Sequence, residues 1–313
     1  MTTICLATYT LKIKEQDSGK NCILNNFGGS DIFNVIRNFL NNIQQDWYHN
    51  PEDKFIIRLR EMFTDQDKRT IKGIIEAGDY GFSSKFRDIE SRNFTYNRNP
   101  NHAEFTPFYF LLNFPLDRDE GILIFQRFGN KGIKTVFQKG LQTFFSTVQE
   151  GYRPNIQDLV PEKALELWGM NGDGKIKKIR YIKYGFDPNL AAFVGQLGHQ
   201  ESEGYKELTI GASRNRFLGY FNKFKETFTE EKPFSQFVSL IGFEPSEVKV
   251  EIDFNGVKRR INLKNANSMR AYFDITDEVK PLGDDGHPVY EKIDGEAEEL
   301  LQIVQNKLYG TQS

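Results

Sequence analysis

The chain has 313 residues, with 41 Lys and Arg against 43 Asp and Glu, a net charge of −2, 38% hydrophobic residues, 28 Phe and 13 Tyr. This length suits two domains better than one, and a composition ordinary for a folded protein but rich in aromatic rings does not make disorder the default. The balanced charge excludes nucleic-acid binding through overall positive potential, so any such binding needs a local patch.

The N-terminal "MTTICLATYTLKIKEQ" contains a first strand, Thr3 to Lys14, whose apolar run is too short for a secretory signal. No later segment reaches the ~18 apolar residues of a membrane span, so a cytoplasmic protein without membrane contact is expected. Cys5 and Cys22 are too few for a disulfide framework or a zinc site and read as inert thiols. A helix follows, with Ser30 as its expected N-cap and Ile32, Val35, Ile36 and Leu40 at helical spacing.

Four strand-length segments, "KFIIRLREMF", "RTIKGIIEAG", "FSSKFRDIES" and "NFTYNRN", are separated by turn clusters and predict an antiparallel meander. It leads into "FTPFYFLLNFPL" and "GILIFQRF", two runs apolar on both faces, joined across "DRDE". Such strands belong in the middle of a sheet covered on each side. A helix bearing Ile133, Val136, Phe137, Leu141, Phe144, Phe145 and Val148 should pack on that sheet.

Pro154, Pro161, Gly169, Gly172 and Gly174 weaken the pattern and mark a boundary, giving domains 1–152 and 153–313. Beyond it, "KIKKIRYIKYG" and "YKELTIGAS" predict strands, and "RNRFLGYFNKFKETF" and "PFSQFVSLIG" predict helices. "EVKVEIDFNGVKRRINL" predicts a hairpin turning at Asn255-Gly256, the preferred pair for a two-residue type I′ turn. That register sets Val248 opposite Leu263, Val250 opposite Ile261, Glu251 opposite Arg260 and Asp253 opposite Lys258, with Arg259 on the apolar face. "EAEELLQIVQNKLYG" closes the chain as an amphipathic helix. The fold class expected is α+β: an N-terminal antiparallel sheet packed by helices, then a smaller C-terminal α/β region holding the hairpin and the terminal helix.

Two basic groups stand out. Arg127, Lys131 and Lys134 surround the Gly129/Gly132 loop between a strand and a helix, where unpaired amides and small residues can admit a phosphate. The loop lacks the Walker pattern and the third glycine of a dinucleotide fingerprint, so its first role is to turn the chain. Lys177, Lys178, Arg180 and Lys183, with Lys175, interleave with Tyr181 and Tyr184, and Arg214 and Arg216 follow. Cations for phosphate beside rings for stacking is the chemistry of a single-strand site, although lysines also protect sheet edges.

Catalytic and metal patterns are weaker. Asn171, Asp173 and Gly174 suggest a calcium loop, but Gly169 and Arg180 stand where its first ligand and final glutamate belong. His49, His102, His199 and His287 occur singly. Glu247-x-Lys249 matches the end of a metal-dependent nuclease pattern without a well-placed upstream aspartate, and Asp274, Asp277, Asp284, Asp285 and His287 read first as a solvated acidic loop. No metal and no cofactor is expected.

The segments "TIKGIIEAGDYG", "GILIFQRFGNKGIKTVF", "ELTIGASRNR" and "YFDITDEV" followed by "GHPVYEKI" resemble parts of bacterial accessory-genome proteins of the kind found in anti-phage defence loci. The resemblance implies a context of antiviral defence in a bacterial cytoplasm and no active site. The leading expectation is a nucleic-acid-binding component, with DNA or RNA as partner. Two alternatives stay open: a sensor or adaptor that assembles with a partner protein or a second copy of itself, and a metal-dependent nuclease.

Overall fold

The computed structural model describes residues 3–159, 174–185, 205–214, 216–220, 242–243, 245–254, 257–264 and 270–310. The chain divides into two compact units, Met1–Gln157 with Thr276–Ser313, and Asp158–Ile275. Strand dominates, with three helices among the described residues; an α+β chain built mainly on antiparallel sheet is what the sequence pattern implies.

In the larger unit, β1 (Ile4–Glu15) lies beside β9 (Gly121–Phe128), followed in space by β8 (Glu104–Asn113), β5 (Thr70–Asp79), β4 (Phe55–Asp65) and β3 (Tyr48–Asn50). β2 (Asn21–Cys22) and β11 (Tyr152–Asp158) also pair with β1. β8 and β9 are central, as their two-sided apolar runs require. On one face the Phe125 ring meets Phe137, centroids 5.1 Å apart, on helix α2 (Lys134–Val148). On the other, Tyr109 donates through its hydroxyl to Asp294 at 2.7 Å on the last helix, α3 (Tyr290–Tyr309). Lys72 of β5 donates to the same Asp294 at 2.8 Å and to Glu298 at 2.6 Å, anchoring α3 on the N-terminal sheet.

Helix α1 (Ile32–Gln45) buries Ile32, Val35, Ile36, Phe39, Leu40 and Ile43, a stripe of helical period. Its N-cap is Asp31 rather than Ser30. The Asp31 carboxylate accepts from Phe33 N at 2.9 Å, whereas Ser30 bridges back to Phe27 and its hydroxyl accepts from Gln149. In α2 the apolar stripe ends a turn early, since Val148 is exposed. At Gly140 α2 comes close to Tyr48, and a Cβ there would lie 3.1 Å from the ring.

The expected meander is interrupted. β6 (Ser84–Arg87) and β7 (Phe94–Arg98) leave the sheet as a separate two-stranded hairpin, and β5 pairs directly with β8. Phe86, Ile89, Phe94 and Tyr96 stay exposed, so these short strands have no second face to bury. Buried Arg98 pins the base of the hairpin by donating to the carbonyls of His102 and Asp79 and to Glu104.

In the smaller unit the order is β13 (Tyr205–Gly211), β12 (Lys175–Tyr184), β15 (Glu247–Phe254), β16 (Val257–Lys264) and β17 (Arg270–Asp274). β15 and β16 pair in the register read from the sequence, Phe254 with Val257 through Val248 with Leu263. The Asn255-Gly256 turn, most of the loop 159–174, and the helices expected over 221–228 and 233–241 lie outside the described residues.

Candidate nucleic-acid interface

The sequence-predicted cations fall into two groups, one in each unit. In the larger unit β9 does not run straight into a helix. Phe128 pairs with Lys131 and Arg127 with Gly132, so Gly129 and Asn130 form a two-residue turn leading into β10 (Lys131–Gly132). Gly129 has φ +58, the left-handed value that a II′ turn asks of its first central residue. Arg127 lies across this turn. It donates to the Asn130 carbonyl at 3.0 Å, and a Cβ on Gly132 would stand 3.3 Å from its guanidinium. Helix α2 begins next, with Ile133 in the N-cap place and no side-chain oxygen to accept the first amides. Lys131 is exposed, and the Lys134 ammonium sits 6.0 Å from the Tyr9 ring.

In the smaller unit, β12 buries Ile176, Ile179, Tyr181 and Ile182 and leaves its basic residues on the accessible positions. A bulge between Ile176 and Lys178 sets Lys177 apart. The cations are not equivalent. Arg180 is held by Glu207 in a two-pronged pair, both distances 2.8 Å. Lys177 sits 3.7 Å from Asp253 and donates to the Arg216 carbonyl at 3.1 Å. Lys178, Lys183, Arg214 and Arg216 make no ion pair among the described residues.

The segment expected to be helical from Arg214 takes another form. Ala212 donates to Lys177 O and Leu218 to Ile176 O, so the chain leaves β12 after β13, loops out, and rejoins it as β14 (Gly219–Tyr220). The unpaired edge of β12 takes up these backbone groups, which overrides a helical spacing of Phe217 and Tyr220. Phe217, Leu218 and Tyr220 are exposed as a result. The rings of Phe217 and Tyr220 lie 5.1 Å apart, and the Lys175 ammonium is 5.8 Å from the Phe217 centroid. Reading the charges alone finds Arg214 and Arg216 but misses these rings, whose signal is local: two aromatics within four residues of Arg216.

The Arg180 guanidinium, through its hydrogen bonds first, holds the Glu207 carboxyl down to about 2 from an ordinary value near 4.5. Because the folded value is depressed, this pair lends stability above pH 4.5 that is lost as pH falls toward 2. A carbon-detected NMR titration should find Glu207 titrating well below the other glutamates, and an Arg180→Gln variant should return it to the ordinary range. A wild-type midpoint near 4.5 would show that the pair is not formed in solution.

The nuclease residues also meet. Lys249 Nζ is 3.8 Å from Glu247 and 3.7 Å from Asp274, and all three side chains are largely buried. The ammonium is thus within ion-pair reach of both carboxylates. Elsewhere the acidic residues have local roles: Asp277 pairs with Lys280 at 2.9 Å, and Asp285 accepts from the His287 amide. Among the described residues no three His, Cys, Asp or Glu side chains converge as a metal centre needs, and no helix is long and apolar enough to cross a membrane. Compared with protein-family models and with curated protein sequences, the chain matches none.

Proposed function

We propose that the smaller unit binds single-stranded nucleic acid along β12 and the loop between β13 and β14, and that the protein is a nucleic-acid-binding component of bacterial antiviral defence. The observation that carries this reading is the pair of exposed rings, Phe217 and Tyr220, with Lys175 beside them and, on the same loop, Arg214 and Arg216, which make no ion pair among the described residues. Neutral rings supply stacking surfaces for bases of any sequence, and the cations supply phosphate contacts. Lys178 extends the row along the strand. Arg127, Lys131 and Lys134 form a second phosphate-contacting group on the larger unit, weaker because Arg127 is already tied to its own turn.

The test is fluorescence anisotropy with single- and double-stranded DNA and RNA over a range of salt. Engaging Lys175, Lys178, Arg214 and Arg216 predicts a log–log salt slope of about −3 for a single strand, at roughly −0.7 per phosphate. Phe217→Ala and Tyr220→Ala should each weaken binding by about 1–3 kcal/mol while leaving the slope unchanged. Absence of binding at low salt, or binding indifferent to both salt and the rings, would sink the proposal. The second reading, a protein partner, has its own observation. Tyr184 and Tyr205 face each other across β12 and β13, both more than half exposed, on a strand at the end of the sheet order. A protein partner recovered with wild type and lost in a Tyr184→Ala/Tyr205→Ala double variant would move the assignment there.

A further inference from the structure

The larger unit contains a small cavity of about 100 Å³ between β4, β5, β8, β9 and the start of α3. Three buried polar atoms that make no hydrogen bond within the protein belong to residues lining it: Gln126 Nε2, His287 Nδ1 and Tyr290 Oη. Buried polar groups are almost always satisfied by protein, water or ligand, so three such atoms on residues around one space mark it as a place that holds water or a small polar molecule.

The surrounding structure holds each of them in place. The β8–β9 ladder stops at Phe110 opposite Phe125, and the next amide along β8, Tyr109 N, is met instead by Gln126 Oε1 at 2.8 Å. That bond fixes the orientation of a carboxamide only 3% exposed, and leaves its NH₂ group as the unpartnered end. His287 sits in a loop tied to itself, with Gly283 N donating to His287 O at 2.8 Å and His287 N to Asp285 Oδ1 at 3.0 Å. Its ring packs 5.5 Å from Phe128. Tyr290, the first residue of α3, is wedged between the rings of Phe63 and Tyr109. Burial first, then the charges of Asp294 and Glu61, push its phenol well above the ordinary range, so it remains a hydroxyl donor.

The lining selects the occupant's chemistry. An amide NH₂ and a phenol both offer protons and ask for acceptor oxygens, while an imidazole nitrogen can play either part. Glu61 and Asp285 on the wall outnumber Arg60, which disfavours an anion. Pro107 and Ile293 add apolar surface to the lining. The space is larger than one water needs, so it takes either a group of waters or one small polar molecule.

The geometry points to a binding site for a small uncharged cyclic amide, a lactam of pyrimidine size whose carbonyl oxygens accept from Gln126 and Tyr290. It stands independently of the nucleic-acid reading, since none of its lining residues belongs to either basic group. The experiment is calorimetric titration of the full chain with uracil, with acetate as an anionic competitor, paired with proton–nitrogen NMR of the glutamine side-chain amides. Saturable uracil binding should shift the Gln126 NH₂ resonances and resist acetate. Tyr290→Phe, which removes one hydroxyl and keeps the ring, should weaken the affinity about tenfold. Gln126→Met should abolish the binding, with circular dichroism unchanged. The proposal is overturned if uracil does not bind at its solubility limit, if acetate displaces it, or if both variants keep wild-type affinity.

Discussion

Asp31→Ala should lower the stability of the larger unit by about 3 kcal/mol, more than a lost helix cap alone would cost. Asp31 has two tasks. Its carboxylate accepts from Phe33 N to begin α1, and it receives both ends of the Arg69 guanidinium at 2.5 and 2.9 Å. Arg69 is 13% exposed, lies 5.3 Å over the Phe33 ring, and donates through Nε to the Phe114 carbonyl at 2.6 Å. It thereby joins the β4–β5 turn, the end of β8 and the start of α1. Removing the carboxylate leaves a mostly buried guanidinium with one carbonyl for company, which costs far more than loss of a surface pair. Asp31→Asn keeps an oxygen for the cap and loses only the charge, so it should fall between wild type and Ala. Urea denaturation followed by tryptophan fluorescence, with Trp47 in this unit, provides the readout. An Ala variant within 0.5 kcal/mol of wild type would mean that Arg69 finds another partner.

The parts of this fold legible in the sequence are those where a local pattern determines a distant pairing. Alternation on either side of Asn255-Gly256 is enough for the whole β15–β16 register, because a two-residue turn permits only one pairing and a one-residue slip would turn Val248, Val250 and Ile252 outward. The two-sided apolar runs of β8 and β9 likewise require a central position. What pattern could not show is where unpaired backbone finds its partners. Arg214 to Tyr220 has helix-like spacing, yet the loop follows the open edge of β12, a feature of tertiary structure. Helix α3 follows the smaller unit's strands in sequence but packs on β8 and β9, because Lys72 and Tyr109 place a cation and a hydroxyl under its acidic first half. The cavity around Gln126 has no sequence signal at all: its polar atoms come from β9 and, some 160 residues later, from a loop and the start of α3, and each looks ordinary alone.

Lys249→Met should destabilise the smaller unit by about 3 kcal/mol, and the direction of that change decides how to read the residues closest to a nuclease pattern. Glu247-x-Lys249 and Asp274 can be a catalytic set or an internal ion triad. In both, the lysine lies near two carboxylates. The difference is energetic: a triad exists because the ammonium offsets two carboxylates withdrawn from water, whereas a catalytic lysine is held among charges for chemistry and often at a cost in stability. Here the three side chains are 13%, 13% and 7% exposed, and the ammonium is 3.8 and 3.7 Å from the carboxylates. Removing the cation that both carboxylates approach should therefore raise the energy of the folded state, with methionine keeping the volume and apolar stem so that packing loss stays small. Adding back opposite change should rescue it: Lys249→Met with Glu247→Gln and Asp274→Asn removes all the charges together and should recover most of the lost stability, as replacing a whole buried triad usually does. If Lys249→Met is instead neutral or stabilising, and wild type cleaves DNA or RNA only with a divalent ion while the variant does not, the triad account fails and the nuclease reading takes its place.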